Sequence, residues 1–179
     1  MPNNDLSEVV IRNIEPGDNI PGFVLAGKDN RPLKSFLRKE AITYENFSLA
    51  RTWVAAQEGS AELLGFITIV SGEVSVVKTG AVDDPGARKF RYPLYPAIKI
   101  ARLAVDDRHA RKDLGRGMVD FALGVAKTQI CPIVGCRFAI VDSKTKSVGF
   151  YEKCGFTVLD TAENQALEHP FMYLDLHWH

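Results

Sequence analysis

The 179-residue chain reads as one α/β (α+β) domain over 1–179, with a mixed central sheet of about six to seven strands flanked by helices. Three observations predict this. Segments rich in β-branched and aromatic residues alternate with stretches whose apolar residues recur at helical spacing. Their order, β-α-β-β-β-α-β-α-β-β, makes the later strands parallel or splayed neighbours and keeps the early meander antiparallel. The 46% apolar content over this length supplies one substantial core.

Glu8–Ile14 predicts a first strand, closed by Pro16-Gly17-Asp18, where ring-fixed φ followed by glycine favours a turn. Residues 17–31 are turn-rich. Pro32 opens a helix carrying Leu33, Phe36, Leu37, Ala41 and Tyr44 on one face, with a predicted end near Ala50. Thr52–Ala56 and Leu63–Val70 form an antiparallel pair joined by Gln57-Glu58-Gly59-Ser60, and Val74–Val77 extends the meander. Lys78–Pro96 has the prolines, glycines and basic Arg88-Lys89-Phe90-Arg91 cluster of a long loop. A strand follows at Ile98–Val105. The next helix runs from about Leu114 to Lys127, with Leu114, Met118, Phe121, Ala122 and Val125 on one stripe. Residues 136–141 are a strand, Asp142 or Ser143 caps the following helix, and Phe156–Leu159 and Phe171–Leu176 complete the sheet.

Composition narrows the function. Net charge is zero, so any basic surface for a polyanion is local. The three cysteines, Cys131, Cys136 and Cys154, make no C-x-x-C pair and fit a reducing, cytoplasmic compartment. No apolar stretch is long enough to span a membrane, and the His177/His179 pair lacks a third ligand, so no metal site is expected.

The chemistry concentrates at 98–118, where an apolar strand ends in a basic loop that opens a helix. Residues 99–116 hold six cations (Lys99, Arg102, Arg108, Arg111, Lys112, Arg116) against three anions (Asp106, Asp107, Asp113). Backbone N–H groups and a positive helix end suit a phosphate there. Gly115 and Gly117 do not complete Gly-x-Gly-x-x-Gly, because position 120 is Asp, and no Gly-Lys-Ser/Thr follows, which disfavours dinucleotides and nucleoside triphosphates. Downstream, Phe150-Tyr151-Glu152-Lys153-Cys154-Gly155-Phe156 places a tyrosine in the last turn of a short helix.

Ala101-Arg102-Leu103-Ala104-Val105-Asp106, the loop Ala110-Arg111-Lys112-Asp113-Leu114-Gly115 and Phe150-Tyr151-x-x-x-Gly155-Phe156 together resemble the GCN5-related N-acetyltransferase (GNAT) family over roughly Pro96–Leu159. The family loop reads Gln/Arg-x-x-Gly-x-Gly/Ala. Here Gly115 matches, while Ala110 and Asp113 depart, Asp113 standing at the first glycine. A register shifted to Lys112–Gly117 would restore both glycines but lengthens the loop; the unshifted one fits the distance from Val105.

The resemblance implies acetyl-coenzyme A as cosubstrate, with its pantetheine arm on the Leu103, Ala104 and Val105 backbone. Its pyrophosphate would lie at Ala110, Arg111, Lys112, Asp113, Leu114, Gly115 and Arg116. It also implies Tyr151 as the general acid that protonates the leaving thiolate after direct attack by a primary amine. His109 and Glu73 are candidate bases, and bound water could replace both. Cys154 is a small buried residue rather than a nucleophile.

The pattern Phe23 to Leu33, Phe36, Leu37 and Ala41, with Arg51-Thr52-Trp53-Val54 and Gly135-Cys136-Arg137, is similar to the family's toxin branch, which acetylates the amine of aminoacyl-tRNA. That branch implies a small antitoxin partner, a homodimer and a basic RNA-binding face, for which Lys34, Arg38, Lys39, Arg88, Lys89 and Arg91 are the candidates. A small-molecule or protein amine as acceptor, or a non-catalytic coenzyme A sensor, are the alternatives.

Overall fold

The structure, a computed structural model, describes residues 9–75, 93–110 and 113–177. Among them, the strands are β1 (Val9–Asn13), β2 (Arg51–Gln57), β3 (Leu63–Ser75), β4 (Leu94–Val105), β5 (Phe138–Asp142), β6 (Thr157–Val158) and β7 (Phe171–Asp175). They form one seven-stranded sheet in the order β1-β2-β3-β4-β5-β7-β6. The helices are α1 (Arg31–Lys39), α2 (Ala41–Asn46), α3 (Leu114–Val125), α4 (Val148–Lys153) and α5 (Ala162–Gln165). The pairs β1–β2, β2–β3, β5–β7 and β6–β7 are antiparallel and β4–β5 is parallel. The sheet is therefore mixed, as the element order predicts.

The backbone divides into two compact units. The first takes the described residues up to Ile69 together with Arg102–Val119, and the second takes those of Val70–Ala101 and from Asp120 onward.

In the first unit, Ile14, Phe23, Phe36, Leu37, Val54, Leu63 and Phe66 are the largest members of a buried cluster. Each such side chain contributes about 1.5–3 kcal/mol by leaving water. The predicted helix from Pro32 to Ala50 is two helices. The bend falls at Glu40, with φ −123° and ψ −32°. Eight residues of straight helix would separate Phe36 from Tyr44 by about 12 Å along the axis. The bend instead brings their rings to 5.4 Å in an edge-to-face contact. The chain then stops being helical at Ser48, whose φ of 56° reverses it before Ala50. On β3, Gly65 lets α3 approach closely: a Cβ there would meet the Met118 sulfur at 3.0 Å and the Ala104 carbonyl at 3.1 Å.

In the second unit, Val74, Ala97, Phe138 and Ile140 form a cluster lined by Tyr95, Phe171 and Tyr173. Tyr95 and Phe138 lie 6.0 Å apart. That contact explains why β4 begins at Leu94, four residues before the predicted Ile98. Pro96 lies near the start of β4, and its carbonyl accepts from the Arg137 amide at 2.8 Å. Neither Asp142 nor Ser143 caps α4. Asp142 pairs with Lys99, the Ser143 hydroxyl donates to the Lys144 carbonyl, and a 3-10 turn at Thr145–Ser147 precedes the helix. The helix predicted to end at Lys127 continues past Val125 as a π-helical turn, Ala126–Ile130. β6 is two residues long because Phe156 belongs to the helix terminus described below.

Candidate functional site

The end of β4 is fixed by an acidic anchor. Asp106 is fully buried and its amide donates to the Leu64 carbonyl at 2.8 Å. Its carboxylate accepts from the Val24 amide at 2.7 Å, the Arg108 amide at 2.9 Å and the Arg108 guanidinium at 2.9 Å through both Nε and Nη2. Burial pulls its pKa upward, but the Arg108 side chain, the Val24 and Arg108 amides and the guanidinium charge outweigh burial and bring it down to about 2. Asp107 continues the tie: its amide donates to the Val24 carbonyl at 3.0 Å and its carboxylate accepts from the Ala26 amide at 2.6 Å. The loop after β4 is thus clamped to Val24–Ala26. Asp106 stands outside the site residues expected from the sequence. Its signal was an aspartate two residues before an arginine at a strand end.

Leu103 and Val105 are half-buried and Ala104 packs into the first unit's core. β4 pairs with β5 through Ala97, Ile98 and Lys99, opposite Phe138, Ala139 and Ile140. It then runs on through Val105.

Between β4 and α3, Ala110 is exposed, and Arg111 and Lys112 lie outside the described residues. Asp113 is exposed with φ 54°. This is the left-handed region, which glycine enters freely and aspartate more readily than most residues. Asp113 thus holds a backbone conformation that glycine more commonly supplies. α3 starts at the next residue, and the first intrahelical bond runs from the Gly117 amide to the Asp113 carbonyl at 2.9 Å. The amides of Leu114 and Gly115 belong to the turn that points out of the helix N-terminus. Gly115 and Gly117 are both inside the helix.

In the second unit, α4 ends in a Schellman motif. Gly155 has φ 92°, its amide donates to the Glu152 carbonyl at 2.9 Å, and the Phe156 amide donates to the Tyr151 carbonyl at 3.0 Å. The hydrophobic contact that accompanies this motif is made by the Tyr151 and Phe156 rings, with centroids 5.6 Å apart. The Phe150 ring also meets Tyr151, edge to face with centroids 5.0 Å apart. The Tyr-x-x-x-Gly-Phe spacing is thus a helix terminus that fixes the tyrosine's backbone and ring together. Tyr151 is buried, and burial first, then the neighbouring Cys154, raises its pKa above the usual tyrosine value. Burial thus keeps its hydroxyl protonated.

The remaining candidates are scattered. His109 ends a 3-10 turn in the first unit and is half-buried. Glu73 is exposed on β3 and lines a cavity of about 690 Å³ in the second unit, with Asp142, Leu159, Asn164 and Phe171 among its walls. Cys154 is buried beside Gly155. Lys34, Arg38 and Lys39 lie on α1, whereas Arg88, Lys89, Arg91 and His179 fall outside the described residues. Among the described residues, no group of His, Cys, Asp and Glu could hold a metal ion, and no helix is long and apolar enough to cross a membrane.

The sequence profile described as "Acetyltransferase (GNAT) family" matches residues 23–156. A curated relative, a tRNA-acetylating toxin of Mycobacterium tuberculosis, is 26% identical over 152 residues, covering 84% of this chain and 85% of its own. A solved structure of AtaT complexed with acetyl-methionyl-tRNAfMet superposes with a TM-score of 0.78 at 18% identity, over 95% of this chain and 96% of that one. One of AtaTR bound with acetyl-coenzyme A gives 0.73 at 16% identity, over 97% and 96%. At these identities the two structures speak for the fold.

Proposed function

The chain belongs to the acetyltransferase (GNAT) family, and from that membership we propose that it transfers the acetyl group of acetyl-coenzyme A to the amine of an aminoacyl-tRNA. The observation that carries the acetyltransferase reading is the strand-loop-helix unit ending in a left-handed Asp113, the conformation for which the family motif places a glycine. The acceptor rests on likeness to the tRNA-acetylating toxin across most of both chains.

The donor set suits a diphosphate. It combines amides of the first turn of α3 with Ala110, Arg111, Lys112, Asp113, Leu114, Gly115 and Arg116 along the loop. The backbone of Leu103, Ala104 and Val105 is extended and suited to strand-like bonds with a pantetheine arm. When bound, acetyl-coenzyme A supplies the acetyl thioester. Asp106 and Arg108 keep the loop's entrance in place. Tyr151, protonated and fixed by its Schellman terminus, gives its proton to the departing thiolate. The acceptor amine attacks the carbonyl itself, so no nucleophilic side chain is required. A small antitoxin protein and a homodimer belong to the same proposal.

The test is incubation of the protein with radiolabelled acetyl-coenzyme A and a mixture of charged tRNA, protein and small amines. Label is expected on RNA and is released by mild base as an N-acetylated amino acid. Label confined to protein or small molecules would move the acceptor to those classes. No transfer at all, with coenzyme A still bound, would favour a sensor.

A further inference from the structure

The segment joining the end of α3 to β5 holds a feature that acetyl transfer does not use. Cys131 closes the π-helical turn through its amide, which donates to the Ala126 carbonyl at 2.8 Å. Its thiol donates to the Cys136 carbonyl at 3.1 Å, and the Cys136 thiol donates to the Phe138 carbonyl at 3.6 Å. Both cysteines are partly accessible. Between them, Ile133 and Val134 are 82% and 63% exposed. The far side of the loop is rigid: the Arg137 amide donates to Pro96 at 2.8 Å, and its guanidinium makes two 2.8 Å bonds to Asp175. Two thiols are therefore held together across a short, exposed loop by fixed backbone on both sides.

We propose that Cys131 and Cys136 are an oxidation site that forms an intramolecular disulfide with a peroxide. Burial and the neighbouring Cys131 raise the Cys136 thiol to about 11, which suits Cys136 to the resolving role. The Cys131 thiol loses its proton, its sulfur attacks hydrogen peroxide, the O–O bond breaks, and the departing hydroxide takes up that proton to become water, leaving a sulfenic acid on Cys131. The Cys136 sulfur then attacks the Cys131 sulfur. The S–S bond forms, the S–O bond breaks, and the departing hydroxide takes the Cys136 proton to become water. The two thiols lose two electrons and two protons in total, and one peroxide becomes two waters. The product joins the end of the π-helical turn to the start of β5, closing Pro132–Gly135 into a ring.

Trypsin gives one peptide, Thr128–Arg137, that contains both cysteines. After treatment of the folded full-length protein with near-stoichiometric hydrogen peroxide, that peptide is expected to be lighter by two hydrogens and closed to iodoacetamide until dithiothreitol is added. Its formation should be at least about tenfold faster in the folded protein than in urea, because the fold supplies the geometry. Cys154→Ser should leave the result unchanged, and Cys131→Ser should abolish the lighter peptide. A peptide that stays fully alkylatable, that gains oxygen as sulfinic acid, or that closes no faster folded than unfolded overturns the proposal.

Discussion

At the scale of single residues, the two that decide the proposed chemistry are Tyr151 and Asp113. Tyr151→Phe keeps the ring contacts with Phe150 and Phe156 and removes only the hydroxyl. It is expected to lower turnover by about 10²- to 10⁴-fold while leaving coenzyme A affinity within about twofold, as steady-state kinetics and calorimetry would show. Because burial raises the folded pKa of Tyr151 above its unfolded value, the hydroxyl stays protonated below about pH 10, and its folded-state advantage fades only as pH rises through the higher folded value. The pH profile of the wild type should therefore lack an alkaline limb belonging to Tyr151 below about pH 10. Asp113 separates two roles of one position. The backbone role asks for φ near 54°, and a β-branched Asp113→Val should cost about 1–3 kcal/mol in thermal unfolding. The charge role sets a carboxylate near a diphosphate, so Asp113→Gly should tighten coenzyme A binding about fivefold at low salt, with Asp113→Asn in between. Equal affinities across the three would mean that the carboxylate points away from the anion.

At the scale of elements, the parts legible in the sequence were those with a local signature. The β2–β3 hairpin, the α3 stripe and the Tyr-x-x-x-Gly-Phe terminus each follow from periodicity or from a residue confined to one conformation. The bend at Glu40, the early start of β4 and the missing cap on α4 had no local signature, because each follows from a tertiary partner: Tyr44 against Phe36, Tyr95 against Phe138, Lys99 against Asp142. The terminus of α4 can be tested directly. A Cβ at position 155 would sit at φ 92° and 3.3 Å from the Leu174 Cδ1, so Gly155→Ala should cost about 1–2 kcal/mol and lower turnover by displacing Tyr151. The Asp106 anchor has an acid signature. Its pKa falls from 3.8 to about 2 on folding, so its contribution of about 2 kcal/mol is complete above pH 3.8 and is lost as pH falls through about 2. Asp106→Asn should lose about 3 kcal/mol at neutral pH in denaturant unfolding and show a shallower loss of stability across that acid window.

At the scale of the whole molecule, the fold and the family were readable while the acceptor was not, for a physical reason. A strand, a loop and a helix end follow one another directly over 103–116, so a motif there is local in the chain and can be read from it. The acceptor is met by side chains spread over the surface, and a chain with zero net charge gives no global sign of an RNA partner. If the acceptor is carried on tRNA, the binding energy must come from a local basic face, and the cations of α1 are its described part. Salt dependence measures this face without reference to catalysis, since each phosphate contact contributes a slope of about −0.7 to −0.9 in log affinity against log salt. Replacing Lys34, Arg38 and Lys39 together by Gln should make that slope shallower by about 2 and weaken charged-tRNA binding, while coenzyme A affinity stays at the wild-type value. An unchanged slope would take α1 out of the RNA interface and leave Arg88, Lys89 and Arg91 as the cations to replace next.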